Sequence, residues 1–294
     1  MDLTETFCIV DDFCKAFETL LNRHLLSSGK QLPRRKSRLA TSEIITILIL
    51  FHQSGYKNFK HFYLRHVCLS LSKDFPNLCS YTQFLGIQKR AILPLFCFLQ
   101  GLLGCCTGIS LVDSTSLEVC HIKRSYSHRV FKGIAKKGKT TKGWFYGLKL
   151  HLVINECGEI LSWMLTAGNI SDKSVVMILA KDLFGKLFGD RGYISQDLFR
   201  NLYQKGILLV TKIRKNMKNK LMSFYDKLLL KRRGIVDSVI GQLKEGCQIE
   251  HTRHRSLINF VLNLMGGLAA YSLRPRKPSL EINKKDVKCL LAKI

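Results

Sequence analysis

Three aspartates stand out against a large excess of positive charge. The 294-residue chain carries 47 Lys and Arg against 21 Asp and Glu, a formal net charge of +26. In that background Asp113 closes the apolar, β-prone run ISLVD, and Asp190 follows an apolar run in KLFGDRGYIS. Side chains escape the core where the strands of an open α/β sheet end, so carboxylates ending neighbouring strands converge there. Such a pair offers the hard oxygen ligands that Mg²⁺ requires. Two ions roughly 3.5–4 Å apart would activate a water or hydroxyl and stabilise the leaving oxygen of a phosphodiester. Surrounding Lys and Arg would hold the phosphate backbone. A third acid lies in LKRRGIVDSVIGQLKE, where Arg233, Asp237 and Lys244 are spaced R-x₃-D-x₆-K. On a helix these three fall along one stripe. Plainer readings stand beside this one. D-R-G is a good turn sequence, Asp113 followed by Ser-Thr-Ser could start a helix, and charged helical stripes are common.

The elements needed to position these acids can be read along the chain. Residues 1–105 have helical spacing and form a helical N-terminal domain, for DNA binding or dimerisation, or simply for packing. Phe13, Phe17, Leu20 and Leu21 line one such helix, and Thr41 or Ser42 caps the next, IITILILF. Residues 106–275 form a second domain, an α/β fold with a mixed sheet flanked by helices. It opens on a strand at 108–119. Lys123–Lys142 reads as a basic loop, and 144–168 as a hairpin turning at Asn155–Gly158. A helix through VVMILAKDLF, a helix over 195–205 and a strand ILLVTKI follow. A basic patch, Arg214–Lys220, leads to one long helix over 224–245, and a last helix runs to Tyr271. Residues 276–294 form a basic, peripheral tail.

The charge favours a polyanionic partner, nucleic acid above all. No membrane partner is expected, because the longest apolar runs, 44–51 and 257–271, fall short of the roughly 20 residues a spanning helix needs. The N-terminus MDLTETF lacks an export signal pattern. Eleven cysteines without a C-x-x-C pair read as free thiols in a reducing cytoplasm.

With LVDSTSLEVC, WFYGLKLHLVINECGEIL, GDRGYIS and the Arg…acid…Lys helix in order, the chain resembles the DDE transposases of bacterial insertion sequences. IEHTRHRSLINFVLNLMGGLAAY resembles the C-terminal end of one branch of them. The resemblance covers about 105–273 closely and the N-terminal region more loosely. It implies an RNase H-like catalytic domain with Asp113 and Asp190 as the first two acids. Its signature helix is Y-x₂-R-x₃-E-x₆-K. Arg233 and Lys244 fit, Leu230 replaces the Tyr, and Asp237 stands where Glu is usual. Asp is one methylene shorter, a retreat of about 1.5 Å, comparable to one helical rise. Asp237 could still ligate, directly or through a water; Glu245 could approach instead; or the copy is impaired. Asp237 is taken as the third acid.

The resemblance further implies two Mg²⁺ or Mn²⁺ ions on Asp113, Asp190 and Asp237. Arg191, Arg233 and Lys244 would bind DNA near the scissile phosphate, and His251, Arg253, His254 and Arg255 would track its backbone. The partners would be the element's terminal inverted repeats and target DNA, with at least a homodimer at synapsis, in a nucleoid-associated bacterial protein. Two other readings remain open at this point: a DNA-binding relative that no longer cuts, and a general metal-dependent nuclease.

Overall fold

The structure, a computed structural model, describes residues 2–28, 37–141, 143–212, 222–250 and 254–280. In chain order its helices are α1 (Leu3–Ser27), α2 (Thr41–Gln53), α3 (Phe59–His61), α4 (Cys68–Ser70), α5 (Tyr81–Ile87), α6 (Ile92–Gly101), α7 (Asp172–Leu179), α8 (Gln196–Gln204), α9 (Phe224–Arg232), α10 (Ile235–Gly241) and α11 (Leu257–Ser272). The strands are β1 (Ile109–Cys120), β2 (Lys136–Thr140), β3 (Gly143–Asn155), β4 (Ile160–Ala167), β5 (Gly185–Gly189) and β6 (Ile207–Thr211). The basic patch 214–220, His251, Arg253 and most of the tail lie outside the described residues.

These residues divide into two compact units. The first holds the described residues of 1–102, 242–250 and 254–275. It is helical because its apolar residues recur at helical spacing, and both long apolar runs are buried helices, as expected. α2 buries Ile44, Ile45, Ile47, Leu48, Ile49 and Phe51, and packs on α1 and α11. The cap of α2 differs from the expected Thr41 or Ser42. Ala40 is the N-cap, and its N–H donates to Glu43 Oε2 at 2.6 Å. His52 is buried, with Nδ1 against the carbonyl of Cys247. α11 makes room for that ring with Gly266, where a Cβ would stand 3.2 Å from the His52 imidazole. α11 thus groups with the N-terminal helices, where the sequence suggested the sheet domain.

The second unit holds the described residues of 103–241 and 276–280. Its sheet carries β1, β3 and β4 antiparallel, then β5 and β6 parallel to β1, in the order β4-β3-β1-β5-β6. β2 extends the β4 side by pairing with the start of β3. This is the mixed, helix-flanked sheet that was expected. α7 and α8 cover one face, burying Val112, Val153, Val176, Leu187, Leu202 and Ile207 in one cluster. α9 packs on β5 and β6, and α10 packs on β1.

The β3–β4 hairpin turns where the sequence placed it. Asn155 Oδ1 accepts the N–H groups of Cys157 at 3.0 Å and Glu159 at 2.9 Å, and Gly158 takes φ +73°. Gly147 lets β1 approach β3, since a Cβ there would stand 2.1 Å from the Leu117 carbonyl.

Four expectations are corrected. The basic stretch 123–142 is not all loop, because Lys136–Thr140 pairs with β3 as β2. The helix through 175–184 ends at Leu179. The start of the tail is docked rather than peripheral, with Leu280 N–H donating to the Glu156 carbonyl at 2.7 Å. The single helix 224–245 is three pieces. It breaks at Arg233–Gly234, where glycine costs about 1 kcal/mol relative to alanine, and beyond α10 it widens into a π-helical turn, Gln242–Gly246.

Candidate active site

Asp113 lies inside β1 rather than at its end. Its position is nevertheless an edge, because β5 leaves β1 there. The parallel pairing stops at Leu111 with Phe188, and Asp113 and Asp190 each come two residues later. Equal offsets beyond the last pair put the two acids at the same level of the sheet, near enough for the Asp190 charge to act on Asp113. Asp190 also serves its turn. Its Oδ1 accepts the Gly192 N–H at 2.7 Å, capping the 3₁₀ turn Arg191–Tyr193. The turn-cap reading and the site reading are therefore both compatible with this one residue.

The third acid arrives from α10, which packs on β1 with Ile235, Val236 and Val239 buried and Asp237 exposed in its first turn. α9 is fastened to β5 by Lys186 Nζ and Asp226 Oδ1 at 2.7 Å. That anchor sets Arg233, the C-cap of α9, over β1, where Nη1 meets Asp113 Oδ2 at 3.2 Å. Asp113 Oδ1 accepts the Ser114 N–H at 2.8 Å. The Asp113 carboxyl is pushed up to about 6. Burial is the main cause; Arg233 and the Ser114 N–H oppose it, and the negative charges of Asp237 and Asp190 add to it. So Arg233, Asp237 and Asp190 all act electrostatically on Asp113.

Among the described residues no group of three or more His, Cys, Asp or Glu side chains is placed closely enough to hold a metal ion. The chemistry of the three candidate acids still suits a hard divalent cation, because all are carboxylates, and a cation would offset the charges of Asp237 and Asp190 on Asp113.

Lys244 sits in the π-helical turn, 3.0 Å from Glu250 Oε2. The R-x₃-D-x₆-K stripe requires an α-helix throughout, so it is not realised as one helical face. Glu245 is exposed in the same turn. Arg191 is exposed beside Asp190. His254 packs edge-on against Phe260 at 5.2 Å. Arg255 is exposed and close enough to Tyr81 to act on its hydroxyl. His251 and Arg253 lie outside the described residues.

With this geometry in place, comparison with known families is decisive. The family model described as "Transposase DDE domain" matches residues 103–257, more than half of the chain. The chain belongs to the DDE transposases. Members of this family cleave DNA and transfer its strands with the help of divalent metal ions. A search of curated proteins finds no significant match. Among solved structures, a cryo-EM structure of the piggyBac transposase synaptic complex with hairpin DNA is 12% identical, with a TM-score of 0.48, over 98% of this chain and 79% of that one. Among the described residues of this transposase, no helix is long and apolar enough to cross a membrane.

Sequence reasoning missed several residues around these candidate acids. Asp172, at the start of α7, accepts Ser114 Oγ at 2.9 Å and Lys149 Nζ at 3.1 Å, with His151 Nδ1 3.7 Å away. His151 is buried, with Nε2 2.8 Å from Thr166 Oγ1. Tyr193 is buried with no hydrogen-bond partner for its hydroxyl among the described residues. Burial, then the charges of Asp113, Asp172 and Asp190, push its ionisation far up. No spacing signals these residues, because the register of β1 on β3 places Ser114 beside His151, and Asp172 and Tyr193 come from other elements. The available hint was polar residues, Ser114, Lys149 and His151, inside otherwise apolar strands.

Proposed function

We propose that this chain is the transposase of a bacterial insertion sequence and that Asp113, Asp190 and Asp237 are its catalytic acids. The carrying observation is the shared offset of Asp113 and Asp190 beyond the Leu111–Phe188 pairing, with Asp113 raised by burial and further by the charges of both other acids. The three carboxylates would hold two Mg²⁺ or Mn²⁺ ions. When bound, these ions supply the Lewis acidity that activates the attacking oxygen and stabilises the leaving one.

The chain's own residues do the rest. Arg233 keeps Asp113 fixed on β1 and offers a guanidinium to the scissile phosphate. Asp190, tied by one oxygen to the Gly192 N–H, keeps the other for ligation. Arg191, beside it, meets phosphate. Lys244, His251, Arg253, His254 and Arg255 follow the DNA backbone, in keeping with the net charge of +26. Ser114 and Asp172 hold the rim of β1 in place. The substrates are the element's terminal inverted repeats and then target DNA. Two ends are joined by at least a dimer, in the bacterial nucleoid. Residues 1–105 recognise ends or dimerise, 106–275 do the chemistry, and 276–294 are accessory.

The test is nicking and strand transfer on DNA bearing the element's terminal repeats, with Mg²⁺ or Mn²⁺. Wild type is expected to nick and join, and Asp190→Asn to lose both. Equal cutting by Asp190→Asn would reject the assigned site. Cutting with no preference for the repeats and no joined product would favour a general nuclease.

A further inference from the structure

The β2–β3 ribbon combines charge and exposed aromatic surface in a way the acid site does not use. No acidic residue occurs between Glu118 and Glu156. Arg124, Arg129, Lys132 and Lys136 are all exposed. Within this basic field Tyr126 is 89% exposed and Trp144 is 61% exposed. Exposed apolar rings in a field of like charge bury little of their own surface, so their packing does not explain them.

The strand register orders them. Lys139 pairs directly with Trp144, its Nζ 5.8 Å from the ring centroid. Two residues back along β2, Lys137 Nζ lies 4.2 Å from the centroid of Tyr126 and 3.0 Å from its hydroxyl. Residues 137 and 139 point to the same face, about 6.8 Å apart. Between them Gly138 and Phe145 are buried on the opposite face. The outer face of the ribbon therefore presents two cation–ring pairs in a row.

A ligand that answers both halves of each pair must carry anionic charge and flat π surfaces in alternation. Nucleic acid does. In a duplex the base faces are hidden in the stack, so only unpaired bases can lie on these rings. Resting on the DNA-processing reading above, we propose that the Tyr126–Lys137 and Lys139–Trp144 pairs form a stacking platform for unpaired DNA nucleotides. Each ring takes a base, and the lysine beside it takes the neighbouring phosphate.

The test uses the full chain. The sequence has two tryptophans, so a Trp163→Phe background leaves Trp144 as the only reporter. Titration with a short oligo(dT) is expected to quench Trp144 fluorescence, and a blunt duplex of equal length is not. Trp144→Ala should weaken oligo(dT) binding about tenfold, and Tyr126→Ala should weaken it several-fold. Trp144→Phe, which keeps a ring, should stay close to wild type. Both positions are exposed, so these changes spare the core. Unchanged oligo(dT) affinity in both alanine variants overturns the platform, as does a preference for oligo(U) over oligo(dT). Terminal-repeat cleavage is measured on the same preparations. If wild type cuts while both alanine variants still bind oligo(dT) normally, the platform alone is rejected. If wild type neither cuts nor binds any DNA, the transposase reading falls and takes the platform with it.

Discussion

Arg233, at the end of α9, and Asp113, on β1, are joined across 120 residues of sequence, Nη1 to Oδ2 at 3.2 Å. The same Nη1 lies 3.5 Å from the carbonyl of Val112. A cation is thus seated on the first acid, yet Asp113 still has a raised carboxyl, because burial and two neighbouring carboxylates outweigh one guanidinium. The ionised form of Asp113 is therefore under electrostatic strain.

That strain has a measurable sign. An acid whose folded value is about 6 against an ordinary 3.8 favours the folded state at low pH and loses that advantage as pH rises from about 4 to about 6. Asp113→Asn cannot ionise. In EDTA at pH 8 it should be more stable than wild type by up to about 3 kcal/mol, taking about 1.36 kcal/mol for each pH unit between the two values. The gain should vanish near pH 4, and the variant should not cleave DNA. Urea denaturation at the two pH values measures this.

Asp237 stands where the family pattern has Glu, and it is exposed, so lengthening it costs no packing. Asp237→Glu should raise the cleavage rate by roughly 10–100-fold, the usual cost of an ångström of misplacement. Glu245→Gln should leave the rate unchanged. Single-turnover cleavage of terminal-repeat DNA checks both.

Asp172 holds Ser114 and Lys149. Asp172→Ala leaves the half-buried ammonium without its carboxylate and should cost about 1–3 kcal/mol in stability. Asp172→Asn keeps an acceptor for Ser114 and should cost less. Equilibrium denaturation of the two variants gives the ordering.

His52 belongs to the helical unit. Burial holds it neutral and lowers its value to about 4 from 6.5. A depressed histidine costs stability as pH falls from about 6.5 towards 4, because only the unfolded chain takes the proton readily. His52→Gln should flatten that acid loss, which amounts to about 3 kcal/mol in wild type. Thermal melts between pH 4 and pH 7 report it.

Local patterns in the sequence carried much of this architecture. Apolar runs ending in Asp113 and Asp190 marked the strands, and Asn155–Gly158 marked the hairpin. β2 was hidden because KKGKT has poor intrinsic strand preference and pairs only because the start of β3 offers an edge. The break at Arg233–Gly234 was masked by a helical charge spacing that the backbone does not follow. Ser114 meets His151 through the register of β1 on β3, and Asp172 and Tyr193 reach them from the start of α7 and the turn after β5, placements that no single-segment reading supplies.

The proposed chemistry depends most on Asp113, Asp190 and Asp237 sharing one divalent ion site. The direct measurement is localised backbone scission. Fe²⁺ is substituted for the native ion, peroxide and ascorbate are added with terminal-repeat DNA present, and the protein fragments are mapped. Cuts clustered next to residues 113, 190 and 237, all lost together in Asp113→Asn, are the predicted result. Cuts confined to other segments, or a pattern unchanged in Asp113→Asn, would contradict it.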